Sequence, residues 1–205
     1  MKKLVLILIL SLFSYEPTES VTSTGGCLDI DIILLVDLSG SVDIKKDFIV
    51  DALNAFVGRF ELSETTMRMG MVSFNSEPHV FSNLTGDVNQ LKEAFNEIKS
   101  SYCRGETNIY SGLIASTNQF REFKRENINK MIILISDGAA SMFRKETLDF
   151  AEELKGIYGI KICGVYVRSD DGEPDYLTTL CSADCFVLSD YESLREALER
   201  LNICL

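Results

Sequence analysis

The segment Asp37-Leu38-Ser39-Gly40-Ser41 places three small oxygen-bearing side chains at alternate positions of one short stretch. Ser136-Asp137-Gly138 offers a second carboxylate, and Gly105-Glu106-Thr107-Asn108 a further hydroxyl. Two carboxylates and three hydroxyls make an all-oxygen donor set. Such a set suits a hard cation, Mg2+ above all, that keeps near-octahedral geometry and some of its water. Mn2+ or Ca2+ would accept the same donors. Hydroxyls are neutral, so a shell rich in them leaves the metal electrophilic and open to a carboxylate from outside. Taken singly, each segment has a plainer reading. Ser39 can cap a following helix, and Asp137-Gly138 can be a turn. Their joint meaning depends on whether the chain brings them together.

The elements that must position them are legible. Ile30 to Val36 reads Ile-Asp-Ile-Ile-Leu-Leu-Val and leads straight into Asp37. That run is apolar enough for a strand buried on both faces. Lys130 to Ser136, with Met-Ile-Ile-Leu-Ile at its centre, leads in the same way into Asp137. Met67 to Phe74 and Ile160 to Val167 read as further strands, and Cys185 to Leu188 as a last one. Asn75-Ser76-Glu77-Pro78 has the composition of a hairpin turn, which makes a short strand at His79 to Phe81 an antiparallel edge. Apolar residues three and four apart predict helices at Ile44 to Phe60, Val88 to Ile98, Ile109 to Phe123, Glu146 to Tyr158, Tyr176 to Leu180 and Tyr191 to Ile203. Strands alternating with helices give an α/β fold, a doubly wound parallel sheet covered on both faces. Ligands of such sheets sit outside the carboxyl ends of the strands. The Asp37, Thr107 and Asp137 segments would meet there.

The chain has 205 residues, enough for one domain with a full core. Its formal net charge of -11 repels phosphate backbones and argues against nucleic-acid binding. Met1-Lys2-Lys3 precedes an apolar stretch from Leu4 to Phe13, broken only by Ser11, and polar residues follow. That is the layout of a secretory signal peptide. Residues 1–20 are therefore expected to be a leader, cut after Ser14 or Ser20. Residues 21–27 read as a polar lead-in, and 28–204 as the domain. The apolar stretch is too short to span a bilayer comfortably, and no second one follows, so a secreted, extracellular protein without a membrane span is expected.

The six cysteines, an even number in an oxidising compartment, point to disulfides. Cys27 and Cys204 both belong at the end of the sheet opposite Asp37 and are the first choice of pair. Cys181 and Cys185 are close enough in sequence for a local bridge. Cys163, inside a predicted buried strand, reads as an inert core thiol. Asn83-Leu84-Thr85 is an N-glycosylation acceptor pattern in an expected surface loop.

In these residues the chain resembles the von Willebrand factor type A domain, found in integrins, matrilins, collagens and apicomplexan surface adhesins. The resemblance covers about residues 28–203. It rests on Asp-Ile-Ile-Leu-Leu-Val-Asp-Leu-Ser-Gly-Ser-Val at 31–42 and Met-Gly-Met-Val-Ser-Phe at 69–74. Gly-Glu-Thr-Asn at 105–108 and Ile-Ile-Leu-Ile-Ser-Asp-Gly at 132–138 complete it. It implies six strands in the order 3-2-1-4-5-6. It also implies a metal-ion-dependent adhesion site on Asp37, Ser39, Ser41, Thr107 and Asp137. In the ligand-engaged form Ser39, Ser41 and Thr107 would bind the metal directly, and Asp37 and Asp137 largely through water. The partner would be an extracellular protein of the matrix or cell surface that offers an Asp or Glu. Many members carry a glycine run before the threonine, where this chain has Tyr102-Cys103-Arg104-Gly105-Glu106. Arg104 and Glu106 are accordingly expected at the ligand rim. The family often switches affinity by sliding its last helix; a Cys27–Cys204 bridge would restrain that helix, so fixed affinity is expected.

Two other classes of function compete. One is a scaffold that keeps the fold and uses no metal. The other is a metal-dependent hydrolase. Phosphatases of the haloacid dehalogenase type need Asp-x-Asp after the first strand, and Ser39 stands where their acid/base would be. There is no Gly-x-Ser-x-Gly, P-loop or Gly-x-Gly-x-x-Gly, and His79 is the only histidine. A binding module, not an enzyme, is the expectation.

Overall fold

Eight consecutive residues, Ile30–Asp37, form strand β1, and all are buried. A strand buried on both faces alternates its side chains between two cores. Ile32, Leu34 and Val36 join one apolar cluster, Ile33 and Leu35 the other. The computed structural model describes residues 29–101, 103–138, 140–169, 172–201 and 203, without the side chains of 41, 43 and 44. The expected leader (1–20), the lead-in (21–27), Cys27 and Cys204 lie outside the described residues.

After β1 come a 3-10 helix at Gly40–Lys45 and α1 (Lys46–Val57), then β2 (Met67–Phe74), β3 (Pro78–Thr85), α2 (Val88–Ser100) and α3 (Ile109–Glu122). β4 (Asn129–Ser136), α4 (Arg144–Gly156), β5 (Ile160–Val167), α5 (Pro174–Leu180), β6 (Phe186–Ser189) and α6 (Leu194–Arg200) complete the order. The six strands lie in the order β3-β2-β1-β4-β5-β6. All neighbours are parallel except β2 and β3. This is the α/β sheet expected from the sequence, with β3 as its antiparallel edge. α1, α2 and α6 pack on the Leu34 face, and α3, α4 and α5 on the Leu35 face. Each fully buried Leu or Ile contributes about 1.5–3 kcal/mol, so β1 anchors both layers.

Three expectations need correction. The helix read over 44–60 is two elements, because the chain first makes a tight turn, with Val42 N–H donating to the Ser39 carbonyl at 3.2 Å. That turn holds the Ser39 segment at the sheet edge before α1 departs. β3 runs Pro78–Thr85, longer than expected. Asn83 is consequently an exposed residue of an edge strand and not of a loop. Half-exposed edge strands carry polar residues, which disguised this one.

The third correction concerns the cysteines. Cys185 pairs with Cys163, at a Cα–Cα distance of 4.6 Å, and not with Cys181. β5 and β6 pair with Gly164 opposite Phe186, which sets Cys163 beside Cys185 on one face of the sheet. Cys181 lies on the other face, its sulfur where a side chain on Gly164 would stand. It remains a buried thiol, pushed up to about 12 chiefly by burial. Among the described residues, no helix is long and apolar enough to cross a membrane.

Candidate metal centre

β1 and β4 are parallel neighbours, so their carboxyl ends deliver Asp37 and Asp137 side by side. Asp37 is buried, 2 % exposed. One carboxylate oxygen accepts the Ser39 N–H at 2.8 Å, and the other accepts the Ser136 hydroxyl at 2.7 Å. Burial pushes the Asp37 carboxyl up to about 6. Ser39 and Ser136 pull it back, and the neighbouring charge of Asp137 adds to the rise. Asp137 is also buried, and its Oδ2 has no hydrogen-bond partner among the described residues. Two buried carboxylates, one with an orphaned oxygen, mark a place that lacks positive charge.

Two further loops close around this pair. A side chain on Gly40 would meet the Arg104 Cα at 3.9 Å, so the Ser39 segment lies against the loop that precedes α3. In that loop Thr107 N–H donates to the Ser141 hydroxyl at 2.9 Å, and the Thr107 carbonyl accepts from Ser141 N–H at 3.0 Å. Ser141 belongs to the loop that leaves Asp137. The Asp37, Thr107 and Asp137 segments are thus joined pairwise at one edge of the sheet. Ser41 lies in the 3-10 helix there; its side chain is outside the described part. Arg104 and Glu106 are exposed beside it. The Glu106 carboxylate accepts from the Ser141 hydroxyl at 2.7 Å.

The Thr107 loop has its own supports. Gly105 adopts φ +94, a conformation that L side chains rarely take. Glu106 N–H then donates to the Ser76 hydroxyl at 2.9 Å, and Asn108 N–H to the Asn75 carbonyl at 2.9 Å. The β2–β3 turn therefore braces the segment. Behind it, Gly112 lets α3 close onto the sheet, since a Cβ there would stand 2.9 Å from Leu35 Cδ1 and 3.0 Å from Phe74 Cδ1.

Four residues that sequence reading did not single out shape the site. Ser136 holds Asp37, Ser141 ties Thr107 down, and Ser76 braces the loop. Tyr191 is buried; its hydroxyl is pushed above the usual range by burial first, then by the charges of Asp137 and Asp37. Lys45 Nζ lies 4.4 Å from the Tyr191 ring centre. A serine at a strand end is the only one of these signals a sequence carries.

The donor set fits a hard divalent cation better than a soft one. Among the described residues, no group of three or more His, Cys, Asp or Glu could hold a metal. Any cation here must take hydroxyl oxygens and water beside the two carboxylates, as Mg2+ or Mn2+ does. Replacing Ser141 by alanine removes the acceptor for Thr107 N–H and the link to Glu106. The expected result is a several-fold weaker Mg2+ affinity by calorimetry, in line with about 0.5–1.5 kcal/mol for one exposed hydrogen bond. An unchanged affinity would show that Thr107 is held without it.

Comparison with known proteins agrees with this fold. A family model for the von Willebrand factor type A domain matches residues 31–200. Proximal thread matrix protein 1 of the mussel byssus superposes with a TM-score of 0.68 at 20% identity, over 83% of this chain and 44% of that one. The manganese-loaded TRAP protein of Plasmodium vivax gives 0.67 at 19% identity, over 83% and 72% of the two chains. The pilus adhesin SpaC of Lactobacillus rhamnosus GG gives 0.71 at 17%, over 84% and 29%. The byssus protein is also known with zinc in its adhesion-site motif. This chain spans less than half of the byssus protein and under a third of the pilus adhesin. At these identities the likeness establishes the fold.

Proposed function

We propose, from the premise that this chain belongs to the von Willebrand factor type A domain family, that it is an extracellular adhesion module. It binds an acidic group of a protein partner through a divalent cation, Mg2+ in the first instance. The observation that carries this reading is the pair of buried carboxylates Asp37 and Asp137, ringed by hydroxyl-bearing loops, with Asp137 Oδ2 unpartnered among the described residues. Asp37 and Asp137 would supply the negative charge of the site. Ser39, Ser41 and Thr107 would supply neutral oxygens. The cation, when bound, supplies Lewis acidity toward the partner's carboxylate. Ser136 and the Ser39 backbone fix the Asp37 carboxylate, and Ser141 fixes the Thr107 backbone. Arg104 and Glu106 stand exposed at the rim and would read what surrounds the partner's acid.

The adhesin and pilus relatives support an extracellular setting, as does the Cys163–Cys185 disulfide. Calorimetry with Mg2+ and Mn2+ tests the metal. Saturable heat and thermal stabilisation are expected, both lost in Asp37→Ala. Neither signal in the wild-type protein would leave a metal-independent scaffold. Capture of matrix or cell-surface proteins that fails in EDTA tests the partner. Phosphatase or esterase turnover with Mg2+, lost in Asp37→Ala, would replace the adhesion reading with a hydrolase.

A further inference from the structure

We propose that the groove between α3 and α4 binds a small amphiphilic anion: an apolar ring or chain that carries one carboxylate, sulfonate or phosphate. The groove encloses a cavity of about 500 Å³. That lies within the roughly 300–1,000 Å³ of small-molecule sites. Phe120 and Ile160, both buried, form its floor. Ile114 on α3 and Phe150 on α4 also line it, as does Tyr158, 52 % exposed. Tyr110 packs edge-on against Phe150 with ring centres 5.7 Å apart, which fixes that ring.

The polar end is cationic. Arg121, Lys124 and Lys130 line the same cavity. They gather at one end because α3 ends at Glu122, Lys124 follows it, and Lys130 opens β4. That end is the amino edge of the sheet, away from Asp37 and Asp137. Arg121 makes no ion pair among the described residues, and Lys124 meets only the exposed Glu126 two positions on, at 2.6 Å. On a chain of net charge -11, three cations around one apolar cavity reverse the local sign. An apolar body would fill the Ile114–Phe150 end, and its anionic head would reach the cations. A neutral hydrophobe would leave the head end unmatched. This site is independent of the metal centre.

The test uses the full chain in EDTA and the fluorescent probe anilinonaphthalene sulfonate, with neutral N-phenylnaphthylamine as its uncharged counterpart. Saturable one-to-one binding of the sulfonate is expected, with the neutral probe about tenfold weaker. The double change Arg121→Glu/Lys130→Glu, and separately Ile114→Glu, should each weaken the sulfonate about tenfold. Thermal melts of these surface variants should match the wild type, and Asp37→Asn should bind the probe unchanged. Equal affinity for both probes, non-saturating binding, or indifference to the groove variants overturns the proposal. So does a wild-type chain that is dimeric in light scattering and monomeric as Ile114→Glu, which would give the groove to a second copy.

Discussion

Asp37→Asn is expected to raise the melting temperature of the metal-free protein near pH 7 and to abolish its stabilisation by Mg2+. The two effects have opposite signs and one cause. In the metal-free fold the Asp37 carboxyl titrates at about 6, against 3.8 for the free side chain, chiefly because it is buried. The folded state therefore holds the proton more tightly than the unfolded chain. The stability this confers is complete below about pH 4 and is lost as pH rises through about 6. Two units correspond to about 3 kcal/mol. Asparagine stays neutral at every pH and avoids that loss. It also keeps the local hydrogen bonds: its oxygen accepts the Ser39 N–H, and its amide donates to Ser136, whose hydroxyl turns to Gly138 O at 3.3 Å. A gain of roughly 5–10 °C is expected for a domain of this size.

The metal reverses the preference. A bound cation needs the carboxylate, so Mg2+ affinity in the wild type falls as pH drops below about 6. Scanning calorimetry in EDTA and in Mg2+, at about pH 5 and about pH 7, reads every part of this. Wild type should be more stable in EDTA at the lower pH and gain from Mg2+ at the higher one. The variant should show neither response. A lower melting temperature for Asp37→Asn in EDTA, with Mg2+ stabilisation retained, would make Asp37 a structural hydrogen-bond acceptor and nothing more.

The five candidate metal residues could be picked out because each lies at the end of a strongly patterned strand, just beyond one, or just before a helix. Ile30–Val36 announces a buried strand, and Asp37 stands at its carboxyl end. The supports were not legible. Ser76, Ser136 and Ser141 act through contacts between segments 30 to 100 residues apart, and a serine does not announce which distant segment it will meet. Cys163–Cys185 depended on the register of β5 against β6, and periodicity predicts strands without fixing their register. Tyr191 reads as one more core residue on the stripe of Leu194, Leu198 and Leu201, so nothing tied it to Asp37 and Asp137. β3 outruns its apolar pattern for a related reason: an edge strand with one wet face lacks the continuous apolar run that reveals the others.

The same blindness to register hid the residue whose loss should damage the fold most. Asp31 interrupts the apolar run of β1 and is 1 % exposed. It sits opposite Arg68 across the β1–β2 pair. Arg68 Nε and Nη2 donate to its two oxygens at 3.0 Å and 2.8 Å, and Arg125 Nη2 to Oδ1 at 2.6 Å. One buried carboxylate therefore bridges two guanidinium groups. Asp31→Ala leaves the buried Arg68 only the Phe123 carbonyl at 2.6 Å and the exposed Glu64 at 4.0 Å, and should lower stability by about 3–5 kcal/mol in urea unfolding. Replacing both partners, Asp31→Leu with Arg68→Leu, should recover most of that loss. It removes the uncompensated charge, while Arg125 keeps the carbonyls of Thr66 at 3.0 Å and Ile30 at 3.3 Å. Asp31 lies six residues before Asp37 on one straight strand, roughly 20 Å away, so Asp31→Ala that remains folded should bind Mg2+ as tightly as wild type. An additive double variant would show that Asp31 contributes through packing and not by charge. A Mg2+ affinity that falls with Asp31→Ala would mean that the two ends of the sheet are coupled through β1.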